Sequence, residues 1–289
     1  MPSVTTSDVR AIAESAVLQI NNIATLPEIT ARIMAIVEDP NSSAAELHRV
    51  VSHDPALVAR ILKVVNSAFY GLPGQIASIE RAIVLLGLTA VKNLAVAASL
   101  GQLFRGLRLG AGYTAKELWK HCIAVGVAAR DLAAQMRVPL QDEAFLAGMI
   151  HDVGFIVAIQ VWPDKVASIC EEAAAGQQHF CDIERDTLGV DHQILGAALC
   201  EKWKFPRSCQ LAASHHHRPT ELADNNRLLT TLVYIADTLC CEAREGFDLT
   251  ARHQTVEASE PSAVGLDVSC VEHTRRRLPE LVKTVALLQ

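Results

Sequence analysis

The stretch LAGMIHDVGFIVAI, Leu146–Ile159, places His151 and Asp152 side by side inside a run that otherwise reads as buried helix. A carboxylate taken out of water without a partner is expensive, and an imidazole beside it is a first candidate for that partner. The run therefore predicts two things: a helical core, and other ionisable side chains brought to this point from elsewhere in the chain.

The rest of the 289-residue chain agrees with a helical body. Half of its residues are hydrophobic and only 4% are aromatic, a composition suited to helices packed on helices. In the first hundred residues Pro27 opens a helix with Ile29, Ile33, Ile36 and Val37 on one face, which stops at Asp39-Pro40-Asn41. Ser43 and Glu46 have the spacing of a capping box, Asp54-Pro55 that of an N-cap followed by N1, and Ser78 and Thr89 each precede an apolar run. The fragment RGLRLGAGYT, Arg105–Thr114, reads as a connection. Beyond it helices are expected near 115–136, 142–150, 155–162, 164–175, 180–188, 191–204, 207–215 and 227–242, with a less regular end and one closing helix near 278–288. Strand signals are nearly absent. The expected class is all-α, in two parts, 1–105 and 106–289.

Charge and cysteine usage narrow the function. The net charge is −6. Residues 1–105 are balanced, with eight basic and eight acidic residues, and the remainder is acidic, with eighteen and twenty-four. No surface for collecting nucleic-acid phosphates is expected. All eight cysteines lie from Cys122 onward and none forms a C-x-x-C pair, which speaks against a four-thiolate zinc site or a dithiol redox motif. The polar opening MPSVTTSDVR is unlike a signal peptide, and no uninterrupted apolar run reaches the ~18 residues of a membrane span. A reduced, cytoplasmic protein without membrane attachment is expected.

Ionisable residues interrupt other apolar helices too: His121 in LWKHCIAVGVAA, His192 in DHQILGAALCEKW, His215 to His217 in QLAASHHH, and Asp237 in LLTTLVYIADTLCC. Asp237 is the most informative, because its helix is apolar nearly all round. Histidines and carboxylates converging from several helices make a metal site for iron, manganese, zinc or nickel. Two simpler readings stay open. Each histidine can be a hydrogen-bonded core residue, and Asp237 can pair with a histidine without metal. His48, His53, His179, His253 and His273 sit in polar surroundings and read as surface residues. Asn66 and Ser67 read as a helix cap and turn, the other reading being a contact with the second half or with a partner. Met34, Met136 and Met149 read as core.

The order His, His-Asp, His, His-His, Asp resembles the HD superfamily of metal-dependent phosphohydrolases. Five stretches, SHDPALVARILKVVNSAFYG, SIERAIVLLGLTAVKNLAVA, EAFLAGMIHDVGFIVAI, GVDHQILGAALCEKWKFP and SHHHRP, narrow the resemblance to the HDOD domain, an HD-related output domain of bacterial signalling, over about residues 22–245. The resemblance implies an N-terminal helical bundle packed on an HD-like bundle. It implies one or two divalent ions, the first held by His121, His151, Asp152 and Asp237, the second by His192, His216 and His217, with Asp152 bridging. It also implies a regulatory module with weak or absent hydrolase activity that binds other signalling proteins or a small ligand; the alternative is a working phosphohydrolase or phosphodiesterase. Two departures from the HD-GYP phosphodiesterases favour the first. Phe155 stands where those enzymes carry a lysine after HD-x-G, and RPTELADNNRL follows the histidine doublet without a GYP loop.

Overall fold

The computed structural model describes residues 6–20, 28–39, 41–104, 106–176 and 178–285. Helix α1 (Thr6–Gln19) is followed by α2 (Glu28–Glu38); Pro27, read as the start of α2, lies outside the described residues. Ser43 starts α3 (Ala44–Val51). Its hydroxyl accepts from the Glu46 amide at 3.2 Å while the Glu46 carboxylate accepts from the Ser43 amide at 2.9 Å, so two amides that the helix cannot satisfy are paired reciprocally. Asp54 caps α4 (Pro55–Val65) and Ser78 caps α5 (Ile79–Leu86). Helix α6 (Leu88–Leu100) begins after Gly87, before the expected Thr89 and without a side-chain cap, and runs into a 3-10 turn at Gly101–Phe104.

Asn66 ends α4 and clamps the turn behind it. Its Nδ2 donates to the Leu62 and Ile76 carbonyls at 2.8 Å each, and its Oδ1 accepts from the Ile76 amide at 2.6 Å. The turn also touches the second half: Phe69 packs on Phe145 at 5.2 Å, and the Arg130 guanidinium lies 4.5 and 4.9 Å from the Phe69 and Tyr70 ring centres. Asn66 and Ser67 thus act as the cap and turn, and the contact with the second half is made by the aromatics after them.

The stretch read as a connection carries a small antiparallel hairpin, β1 (Arg108–Gly110) and β2 (Tyr113–Thr114), the only strands among the described residues. Then follow α7 (Ala115–Gln135), α8 (Gln141–Ile150), α9 (Gly154–Val161), α10 (Pro163–Ala175), α11 (Phe180–Leu188), α12 (His192–Lys202), α13 (Arg207–His215), α14 (Asp224–Glu242), α15 (Ser259–Ala263) and α16 (Val268–Thr284). The closing helix α16 starts well before Leu278. Asp267 caps it, and it buries a single narrow stripe, Val271, Thr274, Leu278 and Val282. The protein is all-α.

Helix α7 lies at the centre, against α8, α14 and α16; α8 also meets α6 and α13, and α9 lies on α12. Helices α2 to α6 pack among themselves, while α1 lies against α12 and α9. The α7–α8 crossing is close because it is made by glycines: a Cβ on Gly148 would stand 2.7 Å from the Gly126 Cα. The segment Gln141–Val161 is long and apolar enough to cross a bilayer, but 89% of its most apolar window is buried within the protein, as the α8–α9 core pair.

Candidate metal centre

Five helices and the turns at their ends bring the seven candidate residues together. His121 projects from the middle of α7, the His151-Asp152 doublet forms the turn between α8 and α9, His192 is the first residue of α12, His216 and His217 follow α13, and Asp237 projects from α14. Six are fully buried and His217 is 9% exposed. His215 stays outside, half-buried against Ser214 at 2.6 Å, and the doublet that faces the other candidates is His216-His217.

Asp152 stands at the middle with its two oxygens facing different ways. Oδ2 lies 3.3 Å from His151 Nε2 and 3.9 Å from His121 Nε2. Oδ1 lies 3.4 Å from both His192 Nε2 and His216 Nε2, which are themselves 3.2 Å apart. Asp237 Oδ1 closes the first group, 3.0 Å from His121 Nε2 and 4.0 Å from His151 Nε2. His217 reaches the second through Nε2, 3.2 Å from His192 Nε2, while its Nδ1 lies 3.7 Å from Asp237 Oδ2.

The outer nitrogens fix which atoms point inward. Nδ1 of His151 donates to the Gly148 carbonyl at 2.6 Å, Nδ1 of His216 to the Ala212 and Ala213 carbonyls at 3.1 and 3.2 Å, and Nδ1 of His192 to the Glu184 carboxylate at 2.6 Å. Each ring is thereby held in the tautomer whose Nε2 lone pair faces the centre. Two such lone pairs, on His192 and His216, oppose each other at 3.2 Å, an arrangement that repels unless a proton or a cation lies between them.

A divalent metal fits this donor set. Both oxygens of Asp152, Oδ2 of Asp237, Nε2 of His151 and both ring nitrogens of His121 are buried without a hydrogen-bond partner. Unsatisfied buried groups cost ~1–3 kcal/mol each, and charged ones more. Nitrogen and oxygen ligands at ~2.0–2.2 Å from a tetrahedral ion stand about 3.3–3.6 Å from one another, close to the 3.2 to 3.4 Å edges of the Asp152–His192–His216 face. The charge distribution points the same way. Burial alone would lift both aspartates, but His151 and its neighbours hold Asp152 well below the usual carboxylate range, and His121 does the same for Asp237. His192 differs: burial disfavours its charge, yet Glu184 overrides that and raises the imidazole to about 9, so an ion bound there has to displace its proton. Burial drives His216 and His217 downward, into the neutral form that binds metal.

Several residues that hold the centre were not read from the sequence. Glu184, fully buried on α11, accepts from both the His192 amide, at 3.0 Å, and its ring. Asp191 caps α12 and is gripped by Arg185 at 2.5 Å and Arg218 at 3.4 Å. Gln193 Oε1 accepts from the His217 amide at 3.1 Å, and Gln254 bridges His217 Nδ1 at 3.0 Å to the Thr238 hydroxyl at 2.6 Å. His179, read as a surface residue, is half-buried: it caps α11 and sets its ring 5.5 Å from that of His217. Phe155 lies flat on His192, 4.6 Å between centroids and 17° between planes, backed by Phe180 and Phe247.

Histidines and aspartates focused on one point from five helices of an all-α body define a metal-capable helical protein of the HD type. The chain belongs to the HDOD domain family, whose model matches residues 23–219. It is 26% identical over 232 residues to an uncharacterized protein of Treponema pallidum (strain Nichols), an alignment covering 79% of this chain and 44% of that one; the chain thus spans less than half the length of that relative. Among solved structures it is similar to an HDOD domain protein from Geobacter sulfurreducens (TM-score 0.82, 21% identity, 99% of both chains). It is similar also to a Shewanella amazonensis SB2B protein provisionally named a phosphohydrolase (0.75, 22%, 96% of this chain and 100% of that one). A third is a Marinobacter aquaeolei VT8 protein provisionally named a signal transduction protein (0.77, 24%, 99% and 67%). At these identities the likeness is one of fold.

Proposed function

We propose that the protein is a regulatory module of bacterial signalling, working in the cytoplasm through binding of another signalling protein or a small ligand, with little or no hydrolase activity of its own. Its centre takes one or two divalent ions: His121, His151, Asp152 and Asp237 would hold the first, and Asp152 with His192, His216 and His217 the second. No nucleic acid and no membrane enter this reading. The observation that carries it is burial. Six of the seven residues have no solvent exposure and His217 keeps only 9%, and Phe155, at the position where HD-GYP enzymes carry a lysine, is stacked on His192. Such burial leaves a phosphoester little surface from which to meet these side chains.

A bound dication supplies Lewis-acid charge, which in a hydrolase is directed at a phosphoryl group. In this chain the residues around it hold helix ends together. His151 fixes the α8–α9 turn, His192 with Asp191 fixes the start of α12, and His216 fixes the end of α13. The second reading, a working phosphohydrolase, is favoured by the convergence of the whole ligand set and by the name of the Shewanella protein. Metal analysis of protein purified without a nickel column, followed by turnover assays with cyclic dinucleotides, nucleotides and a generic phosphodiester, separates the two. The expected result is bound metal with no turnover above background. Hydrolysis by the metal-loaded protein, stopped in a folded Asp152→Ala variant, would overturn the regulatory reading.

A further inference from the structure

The fold sets a cysteine behind each half of the centre. On α14, Asp237 and Cys241 are four residues apart and so share one face. Cys241 Sγ lies 3.5 Å from Asp237 Oδ1, the same oxygen that stands 3.0 Å from His121 Nε2, and the three ligand atoms all fall within 4.8 Å of one another. Helix α11 repeats the device. Cys181 and Glu184 are three residues apart; Glu184 orients His192, and Cys181 Sγ falls within 4.8 Å of ligand atoms of both His192 and His217. Both cysteines are buried and neither is in a disulfide. A thiolate at ~2.3 Å and a carboxylate oxygen at ~2.1 Å from one ion stand about 3.1–3.8 Å apart at ligand–ion–ligand angles of about 90–120°, the range of four- and five-coordinate sites, and the Cys241–Asp237 spacing falls inside it.

We propose that Cys241 and Cys181 are thiolate ligands of the two halves of the centre. Each loses its thiol proton to solvent on binding. The centre is then a mixed Cys/His/Asp site that selects a thiophilic borderline cation, zinc or ferrous iron, over magnesium or manganese. This rests on the metal-binding reading above, and it differs from the all-nitrogen-and-oxygen set that the sequence implied. It also explains why two thiols sit among acidic and imidazole side chains in the interior.

The test uses the full chain, stripped by chelator and reloaded anaerobically with Co²⁺ as the probe. Bound cobalt is counted by equilibrium dialysis, and sulfur ligation is read as the thiolate-to-cobalt charge-transfer band in the near ultraviolet. The band is expected in the wild type, reduced in Cys241→Ser and in Cys181→Ser, lost in the double variant, and kept in Cys209→Ser, which changes a buried cysteine outside the cluster. Where a serine variant does not fold, cobalt-edge X-ray absorption on the wild type counts sulfur ligands without any substitution. Cobalt retained with no sulfur signal, or a band that survives the double variant, overturns the thiolate assignment and leaves the metal site standing. No cobalt retained overturns both.

Discussion

Replacing Gly154 with alanine adds one methyl group to the protein and removes the geometry of the centre. Gly154 opens α9 two residues after Asp152, facing the first turn of α12. A Cβ there would stand 1.9 Å from the His192 carbonyl oxygen and 2.7 Å from the Gly196 amide nitrogen. Both are backbone atoms, so no side-chain rotation relieves the clash. Non-bonded carbon contacts are comfortable near ~3.5 Å, and the two helices would have to part by more than ~1 Å. His192 is the first residue of α12 and moves with it, away from Asp152 Oδ1 at 3.4 Å. Metal–ligand distances tolerate about 0.2 Å, so the second half of the centre opens. Overpacking of this kind costs about 1–3 kcal/mol, which for a chain of this size corresponds to a fall in Tm of about 2–5 °C. The assay is thermal unfolding with metal content measured on the same sample. Gly196→Ala is the control on the same contact: its Cβ would meet nothing closer than 3.4 Å, and it should stay within about 1 kcal/mol of the wild type, aided by the better helix propensity of alanine. A Gly154→Ala protein that melts and binds metal like the wild type would refute the close-packing argument.

Three further outcomes follow from the same geometry. Phe155→Ala removes a fully buried ring stacked on His192 and should cost about 3–5 kcal/mol in chemical denaturation; a loss under ~1 kcal/mol would mean the aromatic wall is dispensable. In metal-stripped protein, burial lowers and Glu184 more than restores the His192 imidazole, from 6.5 to about 9. A raised value contributes stability that is whole below pH 6.5 and lost as pH climbs through 9. The advantage of the wild type over Glu184→Gln, at most about 3 kcal/mol near pH 6, should therefore shrink toward alkaline pH, and a gap that does not change with pH would contradict the pairing. Gln254→Ala leaves His217 Nδ1 and the Thr238 hydroxyl without their bridge, at about 1–2 kcal/mol; amides of residues 247–255 should exchange faster and a chelator should strip the metal sooner, whereas unchanged exchange would show that the bridge does not hold this segment.

The part of the centre legible in the sequence was the part that violates its surroundings. His121, Asp152 and Asp237 stand out because an ionisable residue in an apolar helix has no inexpensive explanation. Glu184 and Asp191 carry no such mark. They occur in FCDIERDTLGVDHQ, where eight of the fourteen residues are charged or polar, and only the packing of α11 on α10 and the grip of Arg185 reveal that these two are buried. Gln254 lies in a segment without periodicity, and its contact with His217 spans 37 residues of sequence, a separation that no local pattern encodes. Helix α1 went unremarked for a related reason: its buried face is made chiefly of Ala13, Ala16 and Val17, too slight an apolar stripe to stand out among polar neighbours.

These same outer residues argue for what a buried centre can do to the elements around it. Its ligands come from α7, the α8–α9 turn, the start of α12, the end of α13 and α14, and its supports reach α11 and the segment around Gln254. A cation present at a hundred times its dissociation constant would add about 2.7 kcal/mol to the folded state without forming a single contact at the surface. That free energy acts on the elements that carry or support the ligands: the His192 cap, the His216-His217 turn and the segment through Gln254. Loss of the ion leaves two buried aspartates and opposed imidazole lone pairs at 3.2 Å, so those elements must either take up protons or move apart. Metal occupancy and proton uptake thereby become alternatives at one point in the core.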